Sequence, residues 1–411
     1  MAFSLSSRAG TFGEISALKH WRERIYVIRR LIKEYLVINC TGYRAKHSFS
    51  RLKPFQFERR EAAAGEVEIA VLYCGVCHSD IHQVKNEWSN TNYPCVPGHE
   101  IVGRISQIGA CVDRFAVGDI VGVGCMVDSC RKCEPCLAGE ENYCEGPNGY
   151  LCTYNGPFIP ARETSGGTNQ YTDDNTFGGY SDVLVVPQDF VLKIPDGMDP
   201  AAAAPILCAG ITTYSALKKW GVKAGDYVGI VGLGGLGDMA VKLAKAMRAH
   251  VTVFTTSKDK VYAAQSIGAD LVVLQNDAES LNGLKSTFDL ILSTVPDKHD
   301  LNPFVKLLKR DKTLVVVGAL APLSPVDNQE IAFHRRSVSG SLIGGLKETQ
   351  EVLDFCAEHK IAPEIEIIDI KDINAAFKRV EHGDVQFRFV IDMASISDRK
   401  PDTSKFQTAQ E

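Results

Sequence analysis

The chain has 411 residues, 45% of them hydrophobic and 23% charged, with a net charge of −5. That length suits two domains of ordinary size and that balance a water-soluble globular protein; no run of eighteen apolar residues offers a membrane span. The thirteen cysteines are an odd number, and no apolar leader precedes a small-residue cleavage site, so a reducing, cytoplasmic setting is expected, where clustered thiols hold metal more often than they pair.

The charge is uneven. Residues 1–60 hold 13 Lys/Arg and 4 Asp/Glu, while the remainder holds 32 and 46. The acidic body argues against nucleic acid as a partner. Residues 1–40 read as a basic extension in which Ile25, Ile28, Ile32, Tyr35 and Leu36 fall at helical spacing. Such a helix suits a membrane surface or organelle targeting; a loosely docked extension is the simpler reading.

From residue 41 to 206 the chain alternates short β patterns with turn residues. "EVEIAVLYCGV", "HEIVGRISQIG", "DIVGVGC" and "SDVLVVPQDFVLKIP" predict a mostly-β domain with long loops. From 207 to 345 the pattern changes. "YVGIVGLGGLGDMAVKLAKAM" reads as strand, glycine turn and helix, and "HVTVFTTS", "DLVVL", "FDLILSTV" and "TLVVVGAL" are further apolar strands with helical stretches between them. Alternating β and α predicts a doubly wound parallel sheet. A helix, "KETQEVLDFCAEHKI", and a last strand, "QFRFVIDM", lie in 346–398, followed by a tail at 399–411.

Three clusters carry chemistry. Cys130, Cys133, Cys136 and Cys144 are spaced C-x2-C-x2-C-x7-C and can supply four thiolates to one tetrahedral ion. Zinc in such a closed site is structural, because no position is left for substrate. An iron–sulfur cluster is the chemical competitor, free thiols on a polar loop the bland alternative, and Cys125, just outside, is assigned no role. The second set is scattered: Cys77, Ser79, Asp80 and His82 in "CGVCHSDIH", His99 and Glu100 in "PGHEIVG", and Cys208 in "LCAGITTY". Singly each is more often an ordinary buried residue. Together they offer two sulfurs and one nitrogen, the donor set of an open zinc site. The third is "GLGGLG", with Gly232, Gly234 and Gly237 in a G-x-G-x-x-G that follows a strand and opens a helix. The next strand ends in Thr255, Thr256 and Ser257, with Lys258 and Lys260 close behind and no acid at 254–257. An acid there would bind a ribose 2′-hydroxyl and repel a 2′-phosphate, so NADP(H) is favoured over NAD(H); for Lys258 a solvated helix start is an equal reading.

With these motifs in order, the chain resembles the zinc-dependent medium-chain alcohol dehydrogenases, in the branch of cinnamyl alcohol dehydrogenases and NADP-dependent aldehyde reductases, over roughly Thr41 to Met393. The resemblance implies a GroES-like catalytic domain built from both ends of the chain, 41–206 and 346–398, around a Rossmann domain at 207–345. It implies two zincs per chain. Cys77, His99 and Cys208 would hold the catalytic ion, with Glu100 able to approach it and Asp80 orienting His99. Ser79 and His82 match a proton relay. Gly235 and Leu236 join the cofactor loop, Thr212 would lie beside the nicotinamide, and Arg388 would approach the phosphates. Trp88 would line the substrate pocket, although an ordinary core aromatic explains it as well. The implied activity interconverts primary alcohols and aldehydes; a member kept as a zinc-stabilised binding protein is the rival. A homodimer through "SVSGSLIGG" is also implied. Two residues depart from the branch: Asp238 stands where histidine is usual and Arg248 where glycine is common. Weaker cofactor binding or lower stability than in close relatives is the expectation, tested by Asp238→His on the NADPH dissociation constant.

Overall fold

The computed structural model describes residues 37–320, 322–383 and 388–396. The helical spacing read between Ile25 and Leu36 and the tail at 399–411 lie outside the described residues. Residues 37–40, placed in the extension on sequence grounds, open a strand instead: Val37–Arg44 pairs antiparallel with Lys53–Arg60.

The Rossmann half forms as the pattern predicts. Six strands make one parallel sheet in the order Leu271–Leu274, His250–Thr255, Tyr227–Val231, Phe288–Ser293, Leu308–Val316, Ser337–Gly340. Their apolar residues are buried because helices cover both faces, and Val228, Ile230, Leu290 and Leu292 have no exposure at all or 1%. The chain order reverses between Tyr227–Val231 and Phe288–Ser293, where doubly wound sheets bind ligands at their carboxyl ends.

The catalytic half is a seven-stranded sheet whose centre comes from both ends of the sequence. Glu66–Gly75 pairs antiparallel with Ile101–Ile108 and Val183–Pro187 and, at its far end, with Arg388–Asp392. The resemblance anticipated this two-part construction; local pattern did not. Between the halves runs Ala209–Lys219, a helix beginning directly after Cys208. Among the described residues no single helix is long and apolar enough to cross a membrane.

The helix that follows the glycine loop, Gly235–Ala246, ends at the residue flagged in the sequence. Arg248 has φ 63°, and its N–H bonds the Lys245 carbonyl at 2.8 Å. A side chain held in this left-handed region costs about 1 kcal/mol, which glycine avoids. Arg248→Gly is therefore expected to raise unfolding stability by about 1 kcal/mol, read as a higher urea midpoint at unchanged slope. Asp238, in the first turn of the same helix, is paired with Lys242 at 3.0 Å, and Lys242 also donates to the Ala362 carbonyl. Burial pushes its carboxyl pKa up, against the pull of Lys242. This ion pair partly neutralises the acid at the start of the helix.

Candidate active site

Cys77 ends the turn after the central strand and caps the helix His78–Val84. Its N–H donates to Asp80 Oδ2 at 2.9 Å, while Gly98 N–H and His99 Nδ1 reach Asp80 Oδ1, each at 3.1 Å. The Tyr180 hydroxyl donates to the same carboxylate at 3.3 Å. Asp80 is fully buried, so these bonds satisfy a charge that would otherwise be costly. A carboxylate can only accept, so Nδ1 carries the imidazole proton and Nε2 is left free to ligate. Nε2 lies 3.3 Å from Cys208 Sγ, and the Cys77 and Cys208 sulfurs are 3.9 Å apart. The ligating atoms of Cys77, His99, Glu100 and Cys208 all fall within 4.8 Å of one another, and all four residues are buried. Two thiols and an imidazole, 131 residues apart at their extremes, thus fit the donor set of zinc. The neighbouring Cys208 thiol holds Cys77 well below the usual thiol range, while Cys208 is itself pushed well up by Cys125 and Cys77. A metal ion would displace the proton they share.

Glu100 has a second partner beside the site. Its carboxylate forms a buried ion pair with Arg388, Nε to Oε2 at 3.2 Å with a second, shorter contact from Nη2 to Oε1. Gly75 makes room for it: a Cβ there would fall 1.9 Å from Glu100 Oε2. Arg388 also reaches the glycine loop, since a Cβ on Gly235 would meet Arg388 Nη1 at 2.7 Å. The resemblance places Glu100 near the metal and Arg388 near the phosphates; in this structure the Glu100 carboxylate lies among the ligating atoms of Cys77, His99 and Cys208 and is also ion-paired with Arg388. Burial raises the Glu100 pKa, and Arg388 counters it.

The glycine loop itself is tightly wound. A Cβ on Gly237 would lie 2.4 Å from the Gly232 carbonyl oxygen, a backbone atom that cannot swing aside. Gly234 caps the helix with no side chain in front of its N-terminus, which leaves the first N–H groups open to an anion. Leu236 is half-buried in the first turn of that helix. Thr256 is exposed and Ser257 half-buried at the end of the neighbouring strand. Lys260 donates to the Leu233 carbonyl at 3.1 Å, and burial pulls its pKa down. Thr212 is buried one turn after Cys208, whose carbonyl accepts its N–H at 3.0 Å.

Ser79 is half-buried in the first turn of His78–Val84. His82, on the same helix, gives its Nδ1 proton to Glu87 and carries the Trp88 ring with centroids 5.4 Å apart. Trp88 is half-buried.

The four-cysteine loop gathers as its spacing predicts. Cys130, Cys133, Cys136 and Cys144 place their sulfurs within 4.8 Å of one another. Backbone N–H groups of Cys133, Cys130, Glu145 and Gly146 point at these sulfurs at 3.4 Å. Against its burial, the N–H groups of Lys132 and Cys133 bring the Cys130 thiol down to about 6. The same loop grips the start of the helix Leu346–His359. Glu141 Oε2 accepts the Leu346 N–H at 2.9 Å, Asn142 donates to the Leu342 carbonyl at 2.8 Å, and the Tyr143 hydroxyl accepts the Leu342 N–H at 3.2 Å.

One site residue escaped the sequence reading. Cys125 follows the strand Ile120–Val123, whose Val123 pairs with Ile101, and so stands level with His99. A hydrogen bond with the Cys208 thiol pulls the Cys125 pKa down even against burial. The only local signal was the alternation of "DIVGVGC", which carries the fifth thiol toward the face that holds His99.

A doubly wound sheet with an open glycine loop, joined through Arg388 to a buried two-sulfur, one-nitrogen site, defines a nucleotide-dependent, metal-assisted dehydrogenase. Two family models match: an alcohol dehydrogenase GroES-like domain over residues 63–196 and a zinc-binding dehydrogenase over 235–358. The chain belongs to the zinc-binding alcohol dehydrogenase family, whose members are oxidoreductases. It is 49% identical to aldehyde reductase YahK of Escherichia coli over 84% of this chain and 96% of that one. It is similar in structure to a cinnamyl alcohol dehydrogenase of Sorghum bicolor, with TM-score 0.81 and 40% identity over 88% of this chain and 100% of that one. It is also similar to the CAD of Helicobacter pylori complexed with NADP(H), with TM-score 0.78 and 38% identity over 87% and 99% of the two chains.

Proposed function

We propose that this protein is a zinc- and NADP(H)-dependent alcohol dehydrogenase and aldehyde reductase that interconverts primary alcohols and aldehydes, aromatic or aliphatic. The observation that carries the reading is the convergence of Cys77, His99 and Cys208 on one point, with Asp80 fixing the imidazole. Zinc held by these three residues would supply Lewis acidity to the carbonyl or alkoxide oxygen of the substrate. A dinucleotide held along Gly232–Gly237 would supply or accept the hydride. The chain's own part is to position and to move protons. Asp80 keeps His99 in the ligating tautomer. Ser79 and His82 lead a proton between the substrate oxygen and solvent, with Glu87 holding His82 in the tautomer whose Nε2 is free to take it. Trp88 forms one wall of the substrate pocket. The four-cysteine loop would take the second, structural zinc. The short edge strand Ser337–Gly340, unpaired on its outer side among the described residues, suits pairing with a second copy as a homodimer.

Thr256, Ser257 and Lys260 favour a 2′-phosphate because none is an acid and one is a cation at the loop. The test is oxidation of NADPH and NADH with a panel of aldehydes on protein of measured zinc content. NADPH is expected to be preferred, with two zincs per chain. Thr256→Asp is expected to reverse that preference, mainly by raising KM for NADPH tenfold or more, through repulsion of the 2′-phosphate. Equal use of both cofactors by the unaltered chain would overturn the cofactor assignment, and zinc-loaded protein inert toward every aldehyde would overturn the reaction.

A further inference from the structure

The turn that follows the strand Phe288–Ser293 is held by a histidine that the site described above does not use. His299 Nε2 lies 2.7 Å from Ser293 Oγ, and His299 Nδ1 lies 2.8 Å from the Asp297 carbonyl oxygen. A carbonyl only accepts, so Nδ1 carries the proton and Nε2 accepts from the Ser293 hydroxyl. Ser293 is fully buried, and its hydroxyl bonds this imidazole. The two bonds staple the turn 294–298 at both of its ends.

That turn is packed against the loop proposed to hold the pyrophosphate. Thr294 N–H and Oγ1 both donate to the Val231 carbonyl at 2.9 Å, and Oγ1 lies 3.3 Å from the Gly232 carbonyl. Thr294 Oγ1 is also 3.0 Å from where a Cβ on Gly232 would sit and 3.4 Å from one on Gly237, so the glycine loop rests on this threonine. From the other side, Val317 and Gly318 donate to the Ser293 carbonyl at 3.0 and 3.2 Å. Gly318 could carry no side chain, because its Cβ would strike the carbonyls of Thr294 and Val295 at 2.5 Å.

We propose that His299 is a positioning residue for the dinucleotide: by holding Ser293 and the Asp297 carbonyl it sets Thr294 under the glycine loop and fixes the loop's shape for the cofactor. The proposal rests on the reading of Gly232–Gly237 as the dinucleotide site. In His299→Ala the buried Ser293 hydroxyl loses its acceptor and the turn loses both staples. The loop must then be ordered by the cofactor itself, at the expense of affinity.

The experiment titrates NADPH and, in parallel, NADH into the zinc-loaded protein by cofactor fluorescence. The unaltered chain is compared with His299→Ala, His299→Gln, Ser293→Ala and the double His299→Ala/Ser293→Ala variant, and kcat at saturating cofactor and the thermal midpoint without cofactor are recorded for each. His299→Ala is expected to raise the dissociation constant about tenfold while kcat at saturation moves less than twofold. His299→Gln, whose amide oxygen can take over from Nε2, is expected to recover most of the affinity. The double variant is expected to be no weaker than the worse single one, because both remove one bond. An unchanged dissociation constant in His299→Ala, with or without a lower thermal midpoint, overturns the proposal, as does full additivity in the double variant. Binding of neither cofactor by the unaltered chain overturns the dinucleotide reading and this inference with it, a different outcome from unaffected variants.

Discussion

Cys208→Ser is expected to lower kcat/KM by about 10³-fold or more and to remove one metal ion per chain while leaving the other in place. An open site has three protein ligands, and a neutral serine hydroxyl does not replace a thiolate on zinc. The Lewis acidity lost with the ion accounts for several kcal/mol of transition-state stabilisation, at about 1.4 kcal/mol per factor of ten. The fold is expected to survive, because serine nearly matches cysteine in volume and the residue sits at the start of a helix packed on both sides. The four-cysteine loop keeps its own ion, since its ligating atoms come from 130–144 alone. Metal analysis beside kinetics checks this. A variant that still carries two ions and more than a tenth of the activity would remove Cys208 from the ligand set.

Arg388→Met carries the largest expected stability effect. Glu100 is fully buried, and Arg388 is its counter-charge at the junction of the two halves. Breaking such a pair from one side leaves a buried charge without compensation, a loss of about 3–5 kcal/mol, whereas removing both charges together is often close to neutral. Arg388→Met is thus expected to lower unfolding stability by about 3–5 kcal/mol and Glu100→Gln/Arg388→Met to recover a large part of it. Urea unfolding of the three proteins measures both numbers. The single variant should also bind the dinucleotide more weakly, since the same guanidinium leans over Gly235. A cost below 1 kcal/mol for Arg388→Met would mean that Glu100 is carried protonated or finds another partner.

The fold was legible where local pattern and tertiary packing agree. The Rossmann strands are short apolar runs because both sheet faces are covered, and the four cysteines were readable as one group because a single loop, 130–144, carries them all. The first hairpin was missed for a physical reason. Phe55, Phe57 and Arg59 alternate on its inward side, and a charge in an alternating pattern reads as outward. Arg59 is instead sunk among the carbonyl of Phe177, at 2.7 Å, and the hydroxyl of Ser181, at 3.1 Å. The two-sulfur site was legible as a donor set, but its members are weak signals singly and the resemblance was needed to join them, because Cys77 and Cys208 meet across 131 residues. The Glu100–Arg388 pair spans 288 residues and no spacing rule reaches it. Cys125 was passed over because its neighbour is chosen by strand register, which a lone cysteine does not reveal. The Asp238–Lys242 pair, by contrast, sits at the i, i+4 spacing of a helix surface and was readable from the sequence.

The pairing of Glu66–Gly75 with Arg388–Asp392 bears on how the molecule is made. The Rossmann sheet draws all six strands from 227–340 and can close as soon as that stretch has left the ribosome. The catalytic sheet cannot. The carboxyl end of its central strand, at Gly75 just ahead of the metal-ligand motif at Cys77, waits with one side unpaired until Arg388–Asp392 has been made, and the counter-charge of Glu100 arrives on that same strand. Pairings of such long sequence separation are slow to form, and an unpaired edge beside a buried carboxylate invites wrong partners in the interval. The metal-binding half is therefore the late-folding half, and competence to take up the catalytic ion should appear only after residue 392 has been synthesised.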